Sequence, residues 1–356
     1  MNGRIIVVGW AVAWATYFPS RAANGQEKPA AGDSNQAIAP VTADQPSISA
    51  EETVQMARDA FDQLETVTDA GARQEVLARI QQQLDVLRVK APNHPWLPYL
   101  AGRAYSLMDR RGDAADQLLK FVQSREGQTE WRAFRTLGNQ LVDEFPQLAK
   151  GYYEKAAALK PNDASILHGL SLCAAKLGQK EEAVRLGKEA VAADGGATLR
   201  YVAHLSGVLR NAGQWEEASR AATRATELAR QAVERQPGEE EPLRALDGLL
   251  QQRIDLLQAR IAAETSAVSD TYLALAGALE DRLETQRRLN LFNVWRVLET
   301  GVNESSPNSP PSLLERYAVA LAEVGRTQQA IEAFEKLLVL DVHNPVAAEW
   351  LARLRP

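Results

Sequence analysis

Apolar residues along this chain fall at helical spacing in paired stretches, and the pairs recur at a fixed interval. Ala114, Ala149, Ala183 and Ala218 stand 35, 34 and 35 residues apart, and Ala330 opens a later stretch of the same kind. Each alanine lies just after a turn, at the start of the second apolar stretch of a pair. A period near 34 residues predicts helix–turn–helix units that cannot bury their apolar faces alone and are covered by their neighbours in a stack. No stretch alternates apolar and polar residues for long enough to build a sheet. The predicted fold class is all-α, a right-handed α-solenoid.

The pattern divides the chain into segments. Ser49 and Glu52 have capping-box spacing, so the first helix is expected from Ser49 to about Val67 and a second from Ala72 to Lys90. These make a degenerate N-terminal repeat over residues 49–92. Regular repeats follow over 93–236, with Asn93 expected to cap the first and Asn162 or Asp163 the third. Residues 237–311 break the period, because Ala218 and Ala330 lie 112 residues apart. Here the pattern predicts a long helix from Glu241 to Glu264, a helix from Ser269 to Leu283, its partner from Thr285 to Thr300, and a loop from Gly301 to Pro311. A last repeat with a capping helix occupies 312–356, with Trp350 and Leu354 facing the preceding repeat.

The repeats resemble the tetratricopeptide family position by position. Ala101-Gly102-Arg103-Ala104-Tyr105 is a small-then-aromatic run like that of the family's first helix, and the small residue at Gly102 recurs as Ser171, Ser206 and Ala318. The turn residue recurs as Asp109, Gly178, Gly213 and Gly325. Gly178-Gln179-Lys180-Glu181-Glu182-Ala183 and Gly213-Gln214-Trp215-Glu216-Glu217-Ala218 are close to the family's turn and second-helix opening. Crossing helices need one small side at the contact, and a tight turn favours a residue free of Cβ strain.

The resemblance implies an inner face lined by the first helix of each repeat. In register, that face carries Trp96, Tyr99 and Arg103, then Arg132, Arg135 and Asn139, then His168, Leu172 and Lys176, then Arg200, His204, Arg210 and Asn211. Asp143 is the main acid among them. The peptide-binding set is therefore expected to be Arg103, Arg132, Arg135, Asn139, His168, Arg200, His204 and Arg210. Guanidinium forks suit carboxylates, so the expected partner is a protein or peptide, acidic or engaged through its C-terminus. Some tetratricopeptide domains hold a terminal carboxylate with two basic–asparagine or basic pairs and an asparagine between them. Arg135 with Asn139 and Arg200 with His204 are similar to the outer pairs, whereas Leu170 stands where the middle asparagine would be.

Residues 1–25 read as a signal peptide. Arg4 precedes the apolar run from Ile5 to Phe18, Pro19 breaks it, and small residues follow. Residues 26–48, rich in Pro, Ala, Ser and Gln, read as a disordered linker. The expected location is periplasmic or secreted, with no membrane span after cleavage. Cleavage would leave 38 basic against 46 acidic residues, a net charge of −8. This disfavours nucleic acid as a partner.

The single cysteine, Cys173, reads as a buried small hydrophobe. His94, His168, His204 and His343 lack metal-site spacing, no nucleophile elbow or phosphate loop occurs, and no cofactor is expected. The function expected from sequence is a non-catalytic interaction scaffold of the cell envelope. The alternative is an accessory subunit docking through its middle helices by an exposed stripe of Leu250, Leu257, Leu291 and Trp295.

Overall fold

The computed structural model describes residues 48–67, 70–263, 269–305 and 309–355, so the expected signal peptide and nearly all of the linker lie outside the described residues. Every regular element described is helical: fifteen α-helices and one short 3-10 turn. The chain forms two compact units, the first ending at Gln140 and the second beginning at Leu141.

In the first unit, α1 (Ala50–Thr66) pairs with α2 (Ala70–Lys90), α3 (Leu97–Leu107) pairs with α4 (Arg111–Val122), and α5 (Trp131–Leu141) follows. The capping box forms as read: the Glu52 amide donates to Ser49 Oγ, and the Ser49 amide donates to the Glu52 carboxylate. Asn93 does not cap α3. Residues 92–96 are turns, and the helix starts at Leu97 with Pro98 in its first turn, where a missing N–H costs nothing.

The second unit holds α6 (Pro146–Leu159), α7 (Ala164–Lys176), α8 (Lys180–Ala193), α9 (Leu199–Asn211), α10 (Trp215–Arg235), α11 (Glu240–Ala263), α12 (Ser269–Ser305), α13 (Pro311–Glu323), α14 (Thr327–Leu340) and α15 (Pro345–Leu354). Each packs on the next in chain order. Asp163 caps α7, accepting from the Ser165 and Ile166 amides. Burial would raise its carboxyl pKa, but hydrogen bonds from Lys160, Ser165 and Ile166 outweigh that and hold it low.

The crossing rule inferred from the alanines appears in the packing. Ala114, Ala149, Ala183, Ala218 and Ala330 are all fully buried. Twelve residues before four of them stands the small residue of the first helix. Ser171 Oγ donates to the Ala183 carbonyl at 2.7 Å, and Ser206 Oγ donates to the Ala218 carbonyl at 3.1 Å. At Gly102 a Cβ would lie 3.2 Å from the Ala114 carbonyl oxygen. The helices are therefore close enough for a side-chain hydroxyl to reach across, but a larger side chain would force them apart. Asp109, Gly178, Gly213 and Gly325 all take left-handed backbone at φ 54, 74, 75 and 86, so one turn geometry recurs four times.

The irregular middle is a long hairpin of α11 with α12, over residues 240–263 and 269–305. The break expected near Leu283 to Thr285 does not occur, and the loop expected from Gly301 to Pro311 is helical as far as Ser305. Thr285 Oγ1 donates to the Asp281 carbonyl one turn earlier, and the helix continues to Ser305. Nothing between Leu283 and Gln286 disfavours helix, and a lone glycine such as Gly301 costs only about 1 kcal/mol against alanine inside one. This hairpin joins a large core with α10, α13, α14 and α15, and it buries Leu250, Trp295, Phe292 and Leu298. Leu257 is buried in a smaller cluster with Ile254 and Ala278. The stripe of Leu250, Leu257, Leu291 and Trp295 is thus core rather than docking surface. At the C-terminus Trp350 stacks on Phe334 with ring centroids 6.2 Å apart, as expected of a capping helix. Among the described residues no helix is long and apolar enough to cross a membrane.

Candidate functional site

The sequence period recurs as hydrogen bonds and an ion pair between successive repeats. Gln140 of α5 donates to Ser106 of α3 at 2.8 Å, 34 residues away. Lys176 of α7 pairs with Asp143 at 3.0 Å, and Ser171 of α7 meets His204 of α9 at 2.8 Å, each 33 residues apart. Residues one repeat apart on first helices therefore stand side by side, which is the condition for a face shared between repeats.

In the first unit that face is closed by α1. Arg103 is 8% exposed. Its guanidinium lies over the Phe61 ring at 4.5 Å, donates to Tyr99 Oη at 3.3 Å and reaches Asp62 at 3.7 Å. Arg132 also reaches Asp62 at 3.5 Å, and Glu130 at 3.8 Å. Arg58 of α1 bonds the buried Glu130 at 3.2 Å and covers the Trp96 ring at 4.1 Å. Trp96, Tyr99 and Phe121 form one aromatic cluster, with centroids 5.0 to 5.6 Å apart. Arg135 stacks on Trp131 at 5.2 Å, half-buried, and Asn139 is exposed. The sequence placed these residues on one helix face but gave no sign that Phe61 and Asp62 of α1 would sit on it.

In the second unit the corresponding face centres on two histidines. The His168 and His204 rings meet edge to face at 4.8 Å, and His168 also contacts Tyr201 at 4.9 Å. Burial, reinforced by the charges of His204 and Arg200, depresses the His168 pKa to about 3. Burial alone depresses that of His204 to about 4. Both are neutral at pH 7. The single Ser171 hydroxyl proton goes to the Ala183 carbonyl, so His204 Nε2 must carry a proton and donate to Ser171 Oγ. His168 Nδ1 is buried without a hydrogen-bond partner.

Arg200 is exposed, over the Tyr201 ring at 5.1 Å. Arg210 is half-buried further along α9, and Asn211 is exposed. Of the five basic residues placed here by sequence, Lys176 is paired with Asp143, two are neutral imidazoles, and Arg200 and Arg210 are the guanidinium groups. From sequence Ser171 is only a small crossing residue. Its second role shows only once α7, α8 and α9 are together.

Other candidate chemistry is absorbed by the fold. Cys173 is buried, and burial pushes its thiol pKa up to about 12, far from a reactive thiolate. Glu240, within the run Glu239-Glu240-Glu241, pairs with Arg244 and Arg296. Arg326 covers the Trp295 ring at 4.1 Å. No group of three or more metal-ligating side chains occurs among the described residues.

The hairpins, their shared alanine crossings and the bonds between repeats define the class: an all-α solenoid of hairpins resembling tetratricopeptide repeats. No protein-family model and no curated protein matches the chain. Solved structures of this kind are similar to it. The crystal structure of MamA is 20% identical, covering 47% of this chain and 99% of that one, with a TM-score of 0.38. YrrB, described as a TPR protein with an unusual peptide-binding site, is 21% identical over 51% of this chain and 86% of its own, with a TM-score of 0.36. TTC0263, a thermophilic TPR protein of Thermus thermophilus, is 16% identical over 52% and 94%, with a TM-score of 0.40.

Proposed function

We propose that this chain is a non-catalytic protein-interaction scaffold of the cell envelope, exported by its N-terminal segment, that holds an acidic or C-terminal peptide segment of another protein on its first-helix faces. The observation that carries the reading is the contact of His168 on α7 with His204 on α9, beside the exposed Arg200. It joins two successive repeats, with His168 and Tyr201 buried beneath the half-buried His204 ring and the exposed guanidinium at the edge. Such a place suits an extended segment bearing a carboxylate: Arg200 supplies a charged fork, held beside a packed, neutral base. Arg210 lies further along the same helix, and Arg135 and Asn139 belong to the separate first-helix face of the first unit.

Fluorescence anisotropy with labelled glutamate-rich peptides, carrying free or amidated C-termini, tests this. Binding should weaken with salt, and Arg135→Glu with Arg200→Glu should lower affinity about tenfold or more, the scale expected for two charge reversals at an interface. The helical signal should be unchanged. Equal affinity in the double variant would rule out these faces, and equal binding of amidated peptides would point to side-chain rather than terminal carboxylates.

A further inference from the structure

Among the described residues, one face of α12 has no neighbour. α12 has 37 residues and α13 has 13, lengths of about 55 Å and about 20 Å at the rise of an α-helix. The C-terminal half of α12 packs into the large core, where Leu313 side-chain carbons would lie 3.5 Å from a Cβ on Gly301. The N-terminal half extends beyond α13 and packs inward on α11 through Ala278, against Ile254 and Leu257.

On the outer side, Tyr272, Ala276, Leu279, Leu283, Val294 and Val297 fall within an arc of about 60° at helical spacing. That arc is opposite Ala278, Thr285 and Phe292, which face the interior. Tyr272 is 53% exposed, Leu283 55% and Val297 73%. This exposed line is apolar in steps of three and four residues from Tyr272 to Leu283 and again from Val294 to Val297, and it is broken between them by Arg287 and Asn290. This is the spacing of a two-helix seam rather than of a solvated face.

The charges beside the seam select its occupant. Glu280, Glu284 and Arg287 lie in that order along one flank, all exposed. Antiparallel pairing of two copies centred on Leu283 sets Tyr272 across from Val294. It also brings Arg287 of each copy beside Glu280 of the other, with Glu284 a turn further on. Parallel two-fold pairing would turn this charged flank toward the opposite flank of the other copy, so Arg287 would not meet Glu280. We propose that the chain forms a two-fold dimer through antiparallel packing of the outer face of α12, an interface separate from the peptide-binding faces.

Sedimentation velocity and light scattering on the full-length chain should find a dimer. Leu279→Glu with Leu283→Glu should make it a monomer of unchanged helicity that still binds peptide, so loss of the dimer is distinguishable from failure of the peptide-binding reading. Arg287→Glu should weaken self-association about tenfold, and mixing it with Glu280→Arg, Glu284→Arg should restore a heterodimer. In a Cys173→Ser background, Leu283→Cys should form an intermolecular disulfide on mild oxidation and Tyr272→Cys alone should not. A wild-type monomer at the highest soluble concentration overturns the proposal. So does a dimer indifferent to Leu279→Glu with Leu283→Glu, efficient cross-linking between copies through Tyr272→Cys, or a monomer that uses this face to bind anionic vesicles.

Discussion

Arg103 of the first unit and Arg200 of the second both come from first helices of regular repeats, yet the fold uses them in opposite ways. Arg103 is buried on Phe61 and neutralised by Asp62, whereas Arg200 is exposed beside two neutral histidines. Repeat register fixes which helix face a residue occupies. It does not fix what lies on that face. The degenerate first repeat brings α1 onto the polar face of α3 and α5, so the first unit meets its own cations with its own acids. In the second unit α7 and α9 meet each other through imidazoles, Lys176 is paired with Asp143, and Arg200 is left exposed to solvent or a ligand.

The largest effect expected from this contrast is a pH dependence carried by the second unit. The folded-state pKa values of His168 and His204 lie below the unfolded value near 6.5, so the unfolded chain binds more protons between about pH 6.5 and 4. The stability they contribute is complete above pH 6.5 and is lost as pH falls through that window. The loss from pH 7 to pH 4.5 should be on the order of 2–3 kcal/mol, allowing for the partial exposure of His204. Urea melts of the wild type and of His204→Gln, monitored across that range, should converge as the pH drops. Parallel curves would show that these rings titrate as if unfolded.

A smaller effect should follow from opening the first unit. Asp62→Ala removes the acid shared by Arg103 and Arg132 and leaves Arg103 buried with less compensation. The cost should be about 1–2 kcal/mol, less than for a fully buried pair because half of Asp62 is in water. The same change should raise affinity for acidic peptides by loosening the hold on Arg132. A gain in stability, or affinity that falls instead, would show that Asp62 does not close this face.

The smallest effect compares the turns. The second unit uses Gly178, Gly213 and Gly325 where the first uses Asp109, although all four have positive φ. Asp109→Gly should stabilise the first unit by about 0.5–1 kcal/mol, since its side chain adds only an exposed contact to Arg111 at 3.2 Å. Gly213→Ala should destabilise the second by a similar amount, and thermal melting of the two variants reads the opposite signs directly.

The period, the alanine crossings, the recurrent turn, the capping box at Ser49 and the capping role of Trp350 were all legible in the sequence. Each follows from interactions within one hairpin or between adjacent ones, where spacing along the chain is spacing in space. The long hairpin was misread as three helices because a helix end needs a breaker, and the pattern between Leu283 and Gln286 contains none. The candidate binding residues were legible as positions on first helices, but neither their burial nor their charge state was. The pairing of Arg103 and Arg132 with Asp62, the neutrality of His168 and His204, and the double bonding of Ser171 depend on groups from different helices converging. Local periodicity determined what this chain repeats. Only tertiary packing decided which polar groups lost their water, because desolvation and pairing depend on everything nearby, whatever its place in the sequence.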